Sequence, residues 1–352
     1  MIPGLRSFIS QWFSSTSLSA LIVAFALAIV LAGCGGGSVD SVSIDGSSTV
    51  FPLTEAVAEE FMKDTQNVRV NVGVSGTGGG FSKFLRGETA INDASRPISP
   101  GEIEKAEANG IEYIELPVAY DGLAVMVHPT NDWAECLTAD ELRELWKPNS
   151  PIDRWNQLRD EFPDRPIDLY GPGTASGTYD YFTEAVVGES GASRSDYTAS
   201  EDDNVLAQGI RGTELALGYF GLAYYENNVD ELKALGIDPD ARDSGASCVT
   251  PRAETVQNGS YRPLSRPLFI YVNVDALTSS TEDFITFYLN NADELASDVG
   301  YVAMPDEAYE LALQRFQNRT TGTIFGAEGV DATGTRVEEM LRTAMTDTTA
   351  QE

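Results

Sequence analysis

The chain has 352 residues, 42% of them hydrophobic, which suits ordinary globular cores and about two domains rather than disorder. Its 54 acidic and 23 basic residues leave a formal charge of −31, which argues against a nucleic-acid partner, because phosphate backbones need basic surfaces. Only Lys63, Lys83, Lys105, Lys147 and Lys233 are lysine, a surface that fits an exported acidic protein in general and a saline habitat in particular.

Residues 1–33 read as an export signal. Arg6 supplies a positive start, residues 18–31 are almost entirely apolar, and Leu31-Ala32-Gly33-Cys34 runs into Gly35-Gly36-Gly37-Ser38. The ending on cysteine resembles the lipobox of exported lipoproteins. That implies a lipidated Cys34 as mature N-terminus, a flexible tether over residues 34–40, and a lipid anchor. An uncleaved transmembrane anchor is the alternative, and the apolar run is short for a bilayer. With Cys34 acylated, Cys136 and Cys248 remain in an oxidising compartment, as a candidate disulfide or as two separate buried thiols.

From residue 42 the pattern alternates strands and helices. Residues 42–46 read as a strand, 53–62 as a helix entered through Pro52, 68–74 as a strand, 81–86 as a short helix and 90–94 as a strand. A helix over 102–109 stops at Gly110, and a strand follows over 111–116. Residues 118–127 form a long apolar run with a polar break at Asp121-Gly122, suited to a strand that leaves one domain and enters another; 268–274 is its return partner. Between them come helix 139–146, strand 167–170, helices 179–187 and 204–210, and strand 216–220. Helices over 283–289 and 307–318 and a helical patch at 337–345 follow. The expected fold is α/β and two-lobed: lobe I over 41–120 plus 268–352, lobe II over 121–267, joined by two hinge-crossing strands.

Three loops share one chemistry: 46–52 (Gly-Ser-Ser-Thr-Val-Phe-Pro), 75–80 (Ser-Gly-Thr-Gly-Gly-Gly) and 173–178 (Gly-Thr-Ala-Ser-Gly-Thr). Each is small and hydroxyl-rich, follows a strand-like run and precedes a helical one. Such junctions aim backbone N–H groups and the positive helix end at an anion. Three of them without a nucleotide fingerprint suggest a receptor for a small tetrahedral anion, seated between the lobes at the strand C-termini.

Over residues 41–325 the chain resembles the phosphate-binding lipoproteins that serve the high-affinity phosphate ABC transporter. The resemblance rests on Asp45-Gly46-Ser47-Ser48-Thr49-Val50, the loop at 75–80, Asp93-Ala94-Ser95-Arg96, Tyr120-Asp121-Gly122-Leu123-Ala124 and Ser176-Gly177-Thr178, in the family's order. It implies a type II periplasmic-binding-protein fold that closes over one inorganic phosphate, without a cofactor or metal. It also implies an extracytoplasmic monomer that hands phosphate to a membrane permease. The family's contacts fall on Ser48, Thr49 and Val50, on Ser75 and Thr77 with the inward hydroxyl left open, and on Ser176, Gly177 and Thr178. Many relatives carry an arginine just before the third loop, where this chain has Tyr170-Gly171-Pro172-Gly173; Arg96 is the expected replacement cation, a salt bridge being its other reading. Either Asp121 or Asp93 is the carboxylate that accepts the proton of monohydrogen phosphate and repels sulfate.

The rival readings are a sulfate or molybdate receptor and a secreted phosphatase or serine hydrolase. The hydrolase lacks a Gly-x-Ser-x-Gly elbow at Ser176, and His128 is the only histidine available to it.

Overall fold

The computed structural model describes residues 39–65, 67–174, 176–226, 228–239, 248–325, 334 and 336–349. The expected signal segment and Cys34 lie outside the described residues, as does nearly all of the tether. Ser41–Glu352 forms one compact unit. No helix among the described residues is long and apolar enough to cross a membrane.

The strands are β1 (Asp40–Gly46), β2 (Val68–Val74), β3 (Ile91–Ala94), β4 (Tyr113–Val127), β5 (Cys136–Thr138), β6 (Asp168–Pro172), β7 (Thr198–Ser200), β8 (Ala216–Gly221), β9 (Lys233–Ala234), β10 (Gly236–Asp238) and β11 (Ser265–Asn273). The main sheet runs β2-β1-β3-β11-β4-β8-β6-β7, with β9 also on β4. Its two ends are parallel (β1 with β3; β6 with β7 and β8), while β11 and β4 run antiparallel to their neighbours in the middle. β4 and β11 are buried along their whole length, as strands covered on both faces must be, which explains their near-continuous apolar runs.

β4 is one strand of fifteen residues, running unbroken through the polar pair Asp121-Gly122 and joining the runs read over 111–116 and 118–127. Its first part, Tyr113 to Gly122, pairs with β11, and Leu123 to Val127 pairs with β8. The irregularity falls opposite Leu268/Phe269, where the register skips Val118. Pro117 has no N–H to give the ladder, and a bulge beside it absorbs the mismatch. The freed Val118 carbonyl accepts from the Tyr309 hydroxyl at 3.0 Å.

Helices α1 (Phe51–Asp64), α2 (Thr77–Phe84), α3 (Pro100–Asn109), α4 (Ala139–Trp146), α5 (Gly177–Phe182), α6 (Asp203–Gly212), α7 (Leu222–Glu226), α8 (Ala253–Gln257), α9 (Ser279–Asp298), α10 (Asp306–Gln317) and α11 (Val337–Thr349) flank the sheet. α3 starts where Ser99 and Glu102 cap each other and ends at left-handed Gly110. α5 continues as a wide turn over Thr183–Val187. Cys136 and Cys248 are joined by a disulfide with Cα atoms 6.1 Å apart. The bridge sits on a small two-stranded sheet, β5 with β10, which short strand lengths hide from sequence periodicity.

A segment packed along β4 was not legible. Residues 300–304, beyond α9, lie along β4: Tyr120 N–H donates to Val302 O at 2.8 Å and Val302 N–H returns to Tyr120 O at 2.9 Å.

Candidate functional site

The three small-residue loops each close a strand and open a helix: β1 into α1, β2 into α2, β6 into α5. Gly46 holds φ at +150°, and a Cβ there would lie 2.1 Å from the Asp93 carbonyl, so only glycine lets β1 turn beside β3. Ser47 N–H donates to that carbonyl at 3.0 Å, and Ser75 N–H donates to Gly46 O at 3.1 Å. The first two loops are thereby fastened to each other and to the end of β3.

The third loop meets the first directly. Thr49 Oγ1 donates to Gly177 O at 3.5 Å, and a Cβ on Gly177 would sit 2.7 Å from that hydroxyl. Ser176 caps α5, its hydroxyl accepting from Thr178 N–H at 3.2 Å. Within the first loop Thr49 N–H donates to Ser47 Oγ at 3.2 Å and Phe51 N–H to Ser47 O at 3.0 Å. The Val50 side chain is fully buried, so only its backbone can face a ligand.

The other expected residues divide. Ser75 gives its hydroxyl to Asp45, which also pairs with Lys83 Nζ at 2.6 Å; this trio braces the second loop. Thr77 is half-buried and shares a 3.1 Å hydroxyl bond with Ser95. Arg96 stacks on Phe81 and forms a two-pronged bond with Glu102 at 2.8 and 3.0 Å. Its guanidinium is therefore spent on the cap of α3, and Glu102 holds its pKa above the ordinary arginine value.

The charge at the junction of loops one and three comes from Arg266 on β11. Its side chain is 8% exposed. Nη2 reaches Thr49 Oγ1 at 3.3 Å, Nη1 faces Glu184 at 3.4 Å, Nε faces Asp121 Oδ2 at 3.6 Å, and the guanidinium lies 3.7 Å over the Tyr181 ring. Every polar contact is longer than the 2.7–2.9 Å usual for charge-assisted bonds. Arg266 Nε and Asp121 Oδ2 are buried without a hydrogen-bond partner. Groups of this kind are seldom left so, and a missing ligand is one standing reason. Burial pushes the Asp121 carboxyl up to about 6, with Arg266 pulling the other way.

Asp93 lies elsewhere. It is fully buried toward α1 and α9; burial, partly offset by the nearby Thr54 hydroxyl, pushes it up to about 8. Neither of its carboxyl oxygens closes a regular hydrogen bond, while Thr54 itself bonds Tyr288 at 3.0 Å. His128 bonds Thr130 at 2.8 Å, and Ser176 is engaged as a helix cap. Among the described residues no His/Cys/Asp/Glu group is arranged to hold a metal.

The family profile of the PBP superfamily domain matches residues 35–292. The SphX protein of Synechocystis sp. is 46% identical over 324 residues, covering 90% of this chain and 95% of the relative. The phosphate-binding protein PstS of Staphylococcus saprophyticus is 38% identical, over 85% of this chain and 91% of its own. The chain belongs to the PstS-type phosphate-binding family. Among solved structures, a possible phosphate-binding protein from Planctomyces limnophilus shares 44% identity at a TM-score of 0.74, covering 79% of this chain and 98% of that one. A putative phosphate ABC transporter substrate-binding protein from Clostridium perfringens, with bound phosphate, shares 27% at 0.53, over 76% and 100%.

In this PstS-type chain Arg266 was the residue that sequence reasoning passed over. It stands 88 residues beyond the nearest loop residue, Thr178, at the start of a strand. Only the register, Arg266 directly opposite Asp121, brings it to the site. A usable signal was present nonetheless: two opposite charges, each inside a largely apolar strand, need one another.

Proposed function

We propose that this chain captures inorganic phosphate between its lobes and delivers it to the permease of an ABC transporter, as an extracytoplasmic binding protein and not an enzyme. The observation that carries the reading is the Arg266–Asp121 pair, buried, facing at 3.6 Å and closing no hydrogen bond, where the N-termini of α1 and α5 meet. An anion between them takes the guanidinium as donor, with Thr49, Thr77, Ser176 and Thr178 hydroxyls and the Ser48, Val50 and Gly177 N–H groups around it. Arg96 stands at the lip as a secondary charge. Asp121 accepts the proton of monohydrogen phosphate and disfavours sulfate, which has none to give.

The lobes divide near residue 121 on the way out and 267 on the way back, so closure bends β4 and β11. The protein acts as a monomer held by lipid on Cys34; Cys34→Ser should release it from membranes, and unchanged retention without lipid on the N-terminal peptide would rule the anchor out. The functional reading is tested by calorimetric titration of the mature protein with phosphate, then sulfate, at fixed salt. Phosphate binding with much weaker sulfate binding is expected. No heat at millimolar phosphate, or equal affinity for both ions, would overturn it.

A further inference from the structure

We propose that Tyr301, on the segment that pairs with β4 at Tyr120, is a positioning residue of the anion site that aims the Val50 N–H. The inference rests on the phosphate reading above.

The Tyr301 hydroxyl donates to the Thr49 carbonyl. That carbonyl and the Val50 N–H belong to one peptide unit. The unit is trans, the only cis bond among the described residues being Arg262-Pro263. In a planar trans peptide, C=O and N–H point in opposite directions. Fixing the carbonyl toward Tyr301 therefore fixes the N–H away from it. Thr49 N–H is spent on Ser47 Oγ and Phe51 N–H on Ser47 O. The Ser48 and Val50 N–H groups are left as the uncommitted backbone donors of the loop at the head of α1.

Tyr301 is itself held. Val302, its neighbour, is paired with Tyr120 through both backbone bonds, one residue before Asp121. Gln257 Nε2 donates to Ala303 O at 2.8 Å, and Met304 N–H donates to the Tyr309 hydroxyl at 3.2 Å. Burial raises the Tyr301 phenol above its ordinary pKa, and the nearby Asp121 charge adds to this, so it remains a donor. One rigid strut thus touches the hinge strand through Val302 and the anion loop through Tyr301, and the donor is set before ligand arrives. A preset donor spares the ordering that a free peptide would undergo on binding.

The test is Tyr301→Phe, which keeps the ring and removes the hydroxyl. Phosphate affinity should fall by roughly threefold to tenfold, the loss of one neutral hydrogen bond. The distinguishing readout is amide NMR. In the parent, phosphate should move the Val50 amide proton downfield together with that of Gly177. In Tyr301→Phe the Val50 shift should shrink while the Gly177 shift persists. Parent affinity with a full Val50 shift in the variant overturns the proposal. So does a parent whose Gly177 amide responds to phosphate while Val50 stays still, a result that needs no folded variant. A parent that takes up no phosphate overturns the site reading and this inference with it.

Discussion

Replacing Arg266 with methionine keeps most of the buried stem and removes the charge. The guanidinium makes three long polar contacts, at 3.3, 3.4 and 3.6 Å, and a stacking contact at 3.7 Å with Tyr181. None of the polar contacts is short enough to hold it strongly, so the charge is available to a ligand. Hydrogen bonds to charged groups contribute about 1.5–3 kcal/mol each, and a full charge about 4 Å from an anion contributes up to about 4 kcal/mol at an effective dielectric near 20. The loss of phosphate affinity should lie between about tenfold and a thousandfold. Calorimetry at two salt concentrations measures it, with Arg96→Met as the comparison. Arg96 is more than a third exposed and already paired with Glu102, so its removal should change affinity by no more than about threefold. If Arg96→Met abolishes binding and Arg266→Met binds like the parent, the assignment of the cation is wrong.

Asp121→Asn should narrow the preference for phosphate over sulfate, because an amide donates to either ion; an unchanged affinity ratio would remove Asp121 from the selectivity argument. Asp93 concerns stability. Its carboxyl is raised from 3.8 to about 8 in the folded state; the folded chain thus holds a proton that the unfolded chain has lost, and stability from this group falls as pH rises from about 4 to 8. Asp93→Asn should flatten that slope and stabilise the protein at pH 8 by a few kcal/mol at most, read from denaturant midpoints at pH 5 and pH 8; parallel curves for parent and variant would refute it. Replacing Cys136 and Cys248 with serine releases a constraint spanning 112 residues, up to about 4–5 kcal/mol in the chain-entropy picture. Thermal melts should drop by several degrees, and an unchanged melt with intact phosphate binding would show the bridge to be dispensable.

Local chemistry was legible wherever it is local. The helix-stopping Gly110 and the hydroxyl loops announce themselves within a few residues, and the strands and helices they separate follow by periodicity. Pairing across the fold is not legible in this way. Arg96 resembles a ligand because it follows a strand end, yet Glu102, six residues on, claims it. Ser75 sits in the right loop, but Asp45 takes its hydroxyl. Asp121 sits inside an unbroken buried strand because its charge is answered by Arg266 across the strand pair. Tyr301 carries no signal at all, lying between the helices read over 283–289 and 307–318. These outcomes depend on which strand lies beside which, information that a linear pattern does not carry.

The position of β11 has a consequence for how the chain is made. It lies between β3 and β4, and its hydrogen bonds join residues 91–94 and 113–122 to residues 265–273. A chain that leaves the membrane N-terminus first has delivered β1, β2 and β3 long before it delivers their central neighbour. Until residue 273 has emerged, the edge of β3 and a whole flank of β4 are unpaired. Such edges template association with other chains. The first lobe therefore cannot mature during emergence, and the nascent protein must be shielded until its return strand arrives. A product ending before residue 265 is not half a receptor; it is two open sheet edges held apart by a missing strand.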